Sequence, residues 1–151
     1  MVPGTDKTRW FMISTRMFQG KDNLSQVLDI RKEVLAETDN ITDFYDDFAF
    51  NAVLYEDDIP AGTGRLLFKE GKYFIDMLCV RNQFKGFNYE DLLIRLLVRK
   101  AVTIGAEKTY MEADQDLQKI LENIGFIQET KGKNLMVKEG DVGGGCCGQT
   151  K

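Results

Sequence analysis

An apolar run interrupted by one acid, followed at once by a long amphipathic repeat, constrains this chain more than any other feature. Phe74, Ile75, Met77, Leu78, Cys79 and Val80 form a nearly continuous apolar stretch in which Asp76 is the exception. That is the pattern of a strand buried on both faces of a sheet. Arg81, Asn82, Gln83, Lys85 and Gly86 stop it, and Asn88 stands at the expected helix N-cap, where its side chain would accept from an orphan N–H. Leu92, Leu93, Leu96, Leu97 and Ala101 then recur at three-to-four spacing, with Asp91, Arg95 and Arg99 as i,i+4 neighbours on the other face, until Gly105 ends the helix. A strand that enters a helix through a short turn leaves several N–H groups, and the positive end of the helix dipole, directed outward. Such an arrangement attracts anions.

The rest of the chain arranges itself around this unit. Residues 9–18, with Trp10, Phe11, Met12, Ile13, Met17 and Phe18, predict a first strand. After a start signal at Asp22 and Asn23, Leu24, Val27, Leu28, Arg31, Val34 and Leu35 share one face of a helix that ends near Thr38. Residues 39–47, DNITDFYDD, are acidic and aromatic without a period, and predict a loop or a short helix. Residues 48–55 and 62–68 read as strands separated by the turn formers of EDDIPAG, and a second turn at residues 69–72 leads into the central strand from Tyr73. Three antiparallel strands in a row result. Residues 108–113 predict a strand parallel to the central one, because a helix crosses between them. A short helix over 116–123 carries Leu117, Ile120, Leu121 and Ile124 on one side, and residues 126–130 and 134–137 predict a hairpin around Lys131, Gly132 and Lys133.

Composition removes several chemistries. The 151 residues contain no histidine, which excludes Ser-His-Asp and Cys-His catalysis, HExxH zinc chemistry and the usual imidazole base. An acid or base must be a carboxylate, Tyr, Lys, Cys or water. A net charge of −4 with scattered lysines and arginines argues against nucleic acid or an anionic membrane as partner. The first ten residues lack the apolar core of a signal peptide and no apolar run approaches a membrane span, so the expected compartment is the cytoplasm. Cys79, Cys146 and Cys147 do not make a disulfide framework. One domain is expected over residues 1–138, followed by a flexible Gly/Cys-rich tail over 139–151.

The element order, together with particular residues, resembles the GNAT N-acetyltransferases over roughly residues 8–138. Ile30, Arg31, Lys32, Glu33 and Val34 resemble the first-helix signature of GNAT proteins of the ElaA and YjcF type. Residues 60–66, PAGTGRL, look like the third strand of that family, residues 80–93 sit where its acetyl-CoA motif begins, and Gly125-Phe126 matches the GF after its last helix. The resemblance implies an α/β (α+β) fold with a mixed, mostly antiparallel central sheet flanked by helices. It implies acetyl-CoA as co-substrate and direct transfer of the acetyl group to a small-molecule or peptide amine. By the same likeness, backbone N–H groups near Leu78, Cys79 and Val80 would bind the thioester carbonyl, and Lys85, Gly86, Phe87, Asn88 and Tyr89 would form the pyrophosphate turn. Asp76 would draw the proton from the amine, and Asp114, in the place of the motif asparagine, would contribute to cofactor binding. The chain departs from the family pattern at Asn88 and Glu90, which replace motif glycines, at Met77, which replaces an arginine, and at Leu121, which replaces the tyrosine acid.

Each candidate also has a plainer reading. Asp76 is either a general base, favoured by the raised pKa of a desolvated carboxylate, or a strand residue paired with a neighbour. Lys85-Gly86 is either a phosphate turn or a plain helix entry. Cys79 reads as core packing rather than a nucleophile. Cys146 and Cys147 are either incidental cysteines of the tail or a pair for a soft metal or redox exchange, too few for a closed zinc site. Residues 39–47 either recognise a cationic amine or form a solvated acidic face. A second function therefore stands beside acetyl transfer, that of a GNAT-fold binding or regulatory protein without catalysis. A homodimer through the last strands is left open.

Overall fold

The computed structural model describes residues 11–35 and 41–143. Seven strands form one sheet in the order β1-β2-β3-β4-β5-β7-β6. Its first part is antiparallel throughout: β1 (Ile13–Gln19) pairs with β2 (Phe50–Glu56), β2 with β3 (Ile59–Lys69), and β3 with β4 (Lys72–Val80). Asp57 and Asp58 turn the first of the two β2–β3–β4 hairpins, Glu70 and Gly71 the second, all with positive φ, as two-residue loops between twisted strands require. Pro60 and Ala61, expected in a turn, already belong to β3. The predicted first strand begins at Ile13, and its Arg9 and Trp10 lie outside the described residues.

Helix α1 (Leu24–Val34) follows β1, and a short 3-10 helix, Phe44–Asp47, precedes β2. Helix α2 (Tyr89–Thr103) crosses to β5 (Lys108–Glu112), which lies parallel to β4 as a strand-helix-strand crossover demands. After α3 (Gln115–Ile124), β6 (Ile127–Gln128) and β7 (Leu135–Glu139) form the expected hairpin, but β7 lies between β5 and β6 and pairs with both.

Alternation along the strands divides the core between the two sheet faces. Ala52, Leu54, Leu66, Ile75 and Val80 pack under Leu93, Ile94, Leu97, Val98 and Ala101 of α2. On the opposite face Val53, Tyr55 and Cys79 meet Val27 and Ile30 of α1. The buried stripe of α2 is therefore rotated from the one its leucines suggest. Ile94 and Val98 are fully buried, whereas Leu92 is 38% exposed on the flank. A second expectation also needs correcting: β4 is not buried on both faces. β5 pairs only with Tyr73, Phe74 and Ile75, so Asp76, Met77 and Leu78 remain half-buried beyond the last pair.

Candidate functional site

The C-terminal half of β4 is shaped by a bulge and by the departure of β5. Arg65 lies opposite Asp76 and Thr63 opposite Cys79, so Gly64 alone faces the two residues Met77 and Leu78, and Met77 takes a positive φ of 52°. That is the two-against-one count of a β-bulge. Gly64 is needed for space: a Cβ there would sit 2.8 Å from Leu97 Cδ1 and 3.3 Å from Leu78 Cδ1. Beyond the bulge the Arg81 N–H donates to Ala61 O of β3 at 2.8 Å. Strand alternation then turns the N–H groups of Val80 and Leu78 the other way, to the edge that β5 has left. The Cys79 N–H points back to β3, and its thiol is packed under α1, where burial pushes it up to about 11 despite the charges of Arg31 and Lys85. Cys79 is core packing at neutral pH.

The turn after β4 keeps the geometry that its substitutions put in question. Gly86 has φ 92°, and Asn88, at the N-cap of α2, has φ 63°, φ 63° and ψ 30° being left-handed, with no side-chain capping bond. The expectation that Asn88 caps the helix is thus corrected. Asparagine tolerates left-handed backbone better than other non-glycine residues, so it stands in for the motif glycine as a conformation, and the first N–H groups of α2 keep no side-chain cap. Of the two acids on the first turn, Asp91 is drawn away by Arg95 at 2.6 Å. Lys85, Gly86, Phe87 and Asn88 are exposed, and Lys85 lines a cavity of about 290 Å³ with Glu33, Val34, Val80 and Asn82. Tyr89 is buried, and its hydroxyl donates to Glu56. Burial and that acid push the phenol above its ordinary range, leaving its backbone as what Tyr89 offers the turn.

Asp76 is held by a residue to which sequence reasoning gave no role. Arg65 donates to it in a fork, Nε to Oδ1 and Nη2 to Oδ2, both at 2.8 Å. Arg65 is 2% exposed, and it also donates to Asp43 at 2.7 and 3.2 Å and to Asp46 at 3.3 Å. Asp46 accepts in turn from Arg31 at 3.0 and 3.1 Å, and Arg31 reaches Asn51 Oδ1 at 2.9 Å. Burial by itself would raise the Asp46 carboxyl, yet hydrogen bonds from Arg31, Thr42 and the Asp43 N–H, with the Arg31 charge, bring it down to about 2. Burial likewise opposes the Arg65 charge, and Asp76 and Asp43 more than offset it. Two guanidiniums against three carboxylates leave one net negative charge, and its open end is Asp43 and Asp76, with side chains 41% and 39% exposed. Asp76 is therefore ion-paired rather than desolvated, each oxygen accepting one bond from Arg65 while the side chain stays partly open to solvent.

Asp43 and Asp46 answer the chain's own arginines instead of forming a purely solvated face, while exposed Asp47 lies 3.6 Å from Lys21. One signal for this was present in the sequence: Arg31 falls on the apolar stripe of its helix, where an unpaired charge would not be tolerated. The remaining expected positions are apart from this cluster. Asp114 caps α3, accepting from the Leu117 N–H at 2.9 Å, and Leu121 is fully buried in the core. Cys146 and Cys147 lie outside the described residues.

No family model matches the chain, and no curated protein matches it. Solved structures do. Escherichia coli ElaA superimposes with a TM-score of 0.72 at 18% identity, covering 85% of this chain and 100% of that one. A Lactobacillus plantarum protein assigned as an N-acetyltransferase gives a TM-score of 0.72 at 20% identity, covering 84% of this chain and 97% of its own. The N-acetylglutamate synthase of Neisseria gonorrhoeae, solved with coenzyme A and N-acetyl-glutamate, gives 0.63 at 16%, covering 85% of this chain and 35% of its own. These likenesses establish the fold, which is that of the GNAT acetyltransferases.

Proposed function

We propose that this protein is an N-acetyltransferase that uses acetyl-CoA and transfers the acetyl group directly to an amine. The reading rests on the open edge of β4 beyond Ile75, to which strand alternation from the Arg81–Ala61 bond turns the Leu78 and Val80 N–H groups, continuous with an uncapped helix start at Gly86 to Asn88. A thioester carbonyl fits the first and a pyrophosphate the second. The residues present suit the group: Lys85 supplies positive charge, Gly86 and Asn88 supply the backbone, and Asp91 is already neutralised by Arg95. When bound, acetyl-CoA supplies an activated acetyl group at the β4 edge.

The chain's own part is to position and to stabilise charge. The Leu78 and Val80 N–H groups draw electron density from a carbonyl oxygen placed on them. An amine that forms its new C–N bond becomes an ammonium, and the net negative end of the Arg65 network, at Asp76 and Asp43, favours that charge. Asp76, partly open to solvent, then passes the proton to water. With Leu121 in the place of the tyrosine acid, the departing thiolate takes its proton from water. Rate should therefore rise with pH as more of the free amine is unprotonated, with no alkaline limb from a protein acid.

A thermal shift with acetyl-CoA and coenzyme A on wild type and on Lys85→Glu tests the reading. Ligand at about 100 Kd stabilises by about 2.7 kcal/mol, which is several degrees for a chain of this size. The shift should shrink in Lys85→Glu. No shift in wild type at millimolar ligand overturns the proposal, and favours instead a GNAT-fold binding protein without catalysis.

A further inference from the structure

The face that carries Asp76 continues down β4 as a graded surface, from acid through aromatic to base. Asp76, Phe74 and Lys72 alternate onto one side, and their register partners Arg65, Leu67 and Lys69 lie beside them on β3. Tyr110 of β5 pairs with Phe74, ring centroids 5.6 Å apart. Tyr45 of the 3-10 helix closes the group, its ring 6.0 Å from both the Arg65 guanidinium carbon and Lys69 Nζ. Lys69 and Lys72 stand directly opposite each other, where like charges repel. Among the described residues no carboxylate lies within salt-bridge distance of either. Aromatic faces hold them instead: Lys69 Nζ is 5.0 Å from the Phe74 centroid and Lys72 Nζ is 5.0 Å from that of Tyr110. Lys72 and Tyr110 also line a cavity of about 370 Å³ with Lys108 and Glu107.

Two lysines opposite each other in register, their ammoniums over the neighbouring Phe74 and Tyr110 rings, invite one anion. Half-exposed Asp43 and Asp76 at the other end favour a cation, and the rings between favour apolar surface. We propose that the acceptor is a short peptide with a free carboxylate, its amino group at Asp76 and Asp43 and its carboxylate at Lys69 and Lys72. This inference rests on the acetyl-transfer reading above for the fate of the amine, but not for the binding itself. Four residues of strand separate Asp76 from Lys72, about 13 Å. Side chains reaching inward shorten the span, and an extended tripeptide covers about 10 Å.

Trialanine and trialaninamide, which differ only at the charged terminus, are the probes, measured by calorimetry on the full chain with and without coenzyme A. Wild type should bind trialanine at least about tenfold more tightly than trialaninamide. In Lys69→Gln/Lys72→Gln that preference should collapse, while affinity for the amide stays within about twofold; a circular-dichroism melt checks that the variant folds. Equal binding of acid and amide by wild type, binding of neither at millimolar concentration, or a preference that survives in the double variant each overturns the proposal. If coenzyme A fails to bind while trialanine is still preferred, the acetyl-transfer reading falls and the peptide site stands. If coenzyme A binds and the preference is absent, the acceptor class falls alone.

Discussion

Replacing Arg65 with methionine tests the network on which the candidate site rests. Arg65 is 2% exposed and makes five hydrogen bonds to three carboxylates. The methionine fills much of the same volume, so little of the loss is cavity. What changes is charge: Arg31 alone would face Asp43, Asp46 and Asp76. Removing one partner of a buried ion pair typically costs about 3–5 kcal/mol, because the remaining charges lose compensation. For a chain of this length that lowers the melting temperature by roughly 10 °C. Urea unfolding of wild type and Arg65→Met at pH 7 measures the loss. A deficit under about 1 kcal/mol would refute the argument that Arg65 is the charge holding these acids together.

Two further outcomes follow from single positions. Gly64→Val puts a branched side chain where even a Cβ lies 2.8 Å from Leu97 Cδ1; overpacking should cost about 1–3 kcal/mol in thermal unfolding, and a neutral result would mean that α2 lies farther from β3 than described. Hydrogen bonds and the Arg31 charge hold the Asp46 carboxyl at about 2, below its ordinary 3.8, so its stabilising contribution is complete above about pH 4 and is lost as pH falls through 2. That contribution is worth about 2 kcal/mol, and the urea midpoint of wild type should fall more steeply between pH 4 and 2 than that of Asp46→Asn.

The sequence displays the fold more openly than the site. Turn residues at Asp57-Asp58 and Glu70-Gly71, and the crossover implied by α2, are local signals, and they place β2 to β5 in their observed relation. The bulge at Met77 has no such signal, because it arises from the register of β3 against β4. The Arg31–Asp46–Arg65–Asp76 chain is similarly hidden: its consecutive members are separated by 11 to 19 residues and meet only once α1, the 3-10 helix and two strands are in place. Asp76 could be singled out as an acid in an apolar run, but its partner could not. Asn88 shows the opposite case, where a motif departure in letters is no departure in backbone.

The short pairing between β4 and β5 also affects how the molecule comes apart. Among the described residues, the backbone pairing that joins the antiparallel strands β1 to β4 to the group β5, β7 and β6 runs only through Tyr73, Phe74 and Ile75 against Thr109, Tyr110 and Met111, with the core under α2 bridging the two on one face. Such a seam is where cooperative units separate below the global unfolding free energy. Amide exchange in β5 to β7 should then proceed through an opening that leaves β1 to β4 intact. A molecule lodged along the free edge of β4 would act as a temporary strand, and would slow that exchange without touching most of the residues it protects.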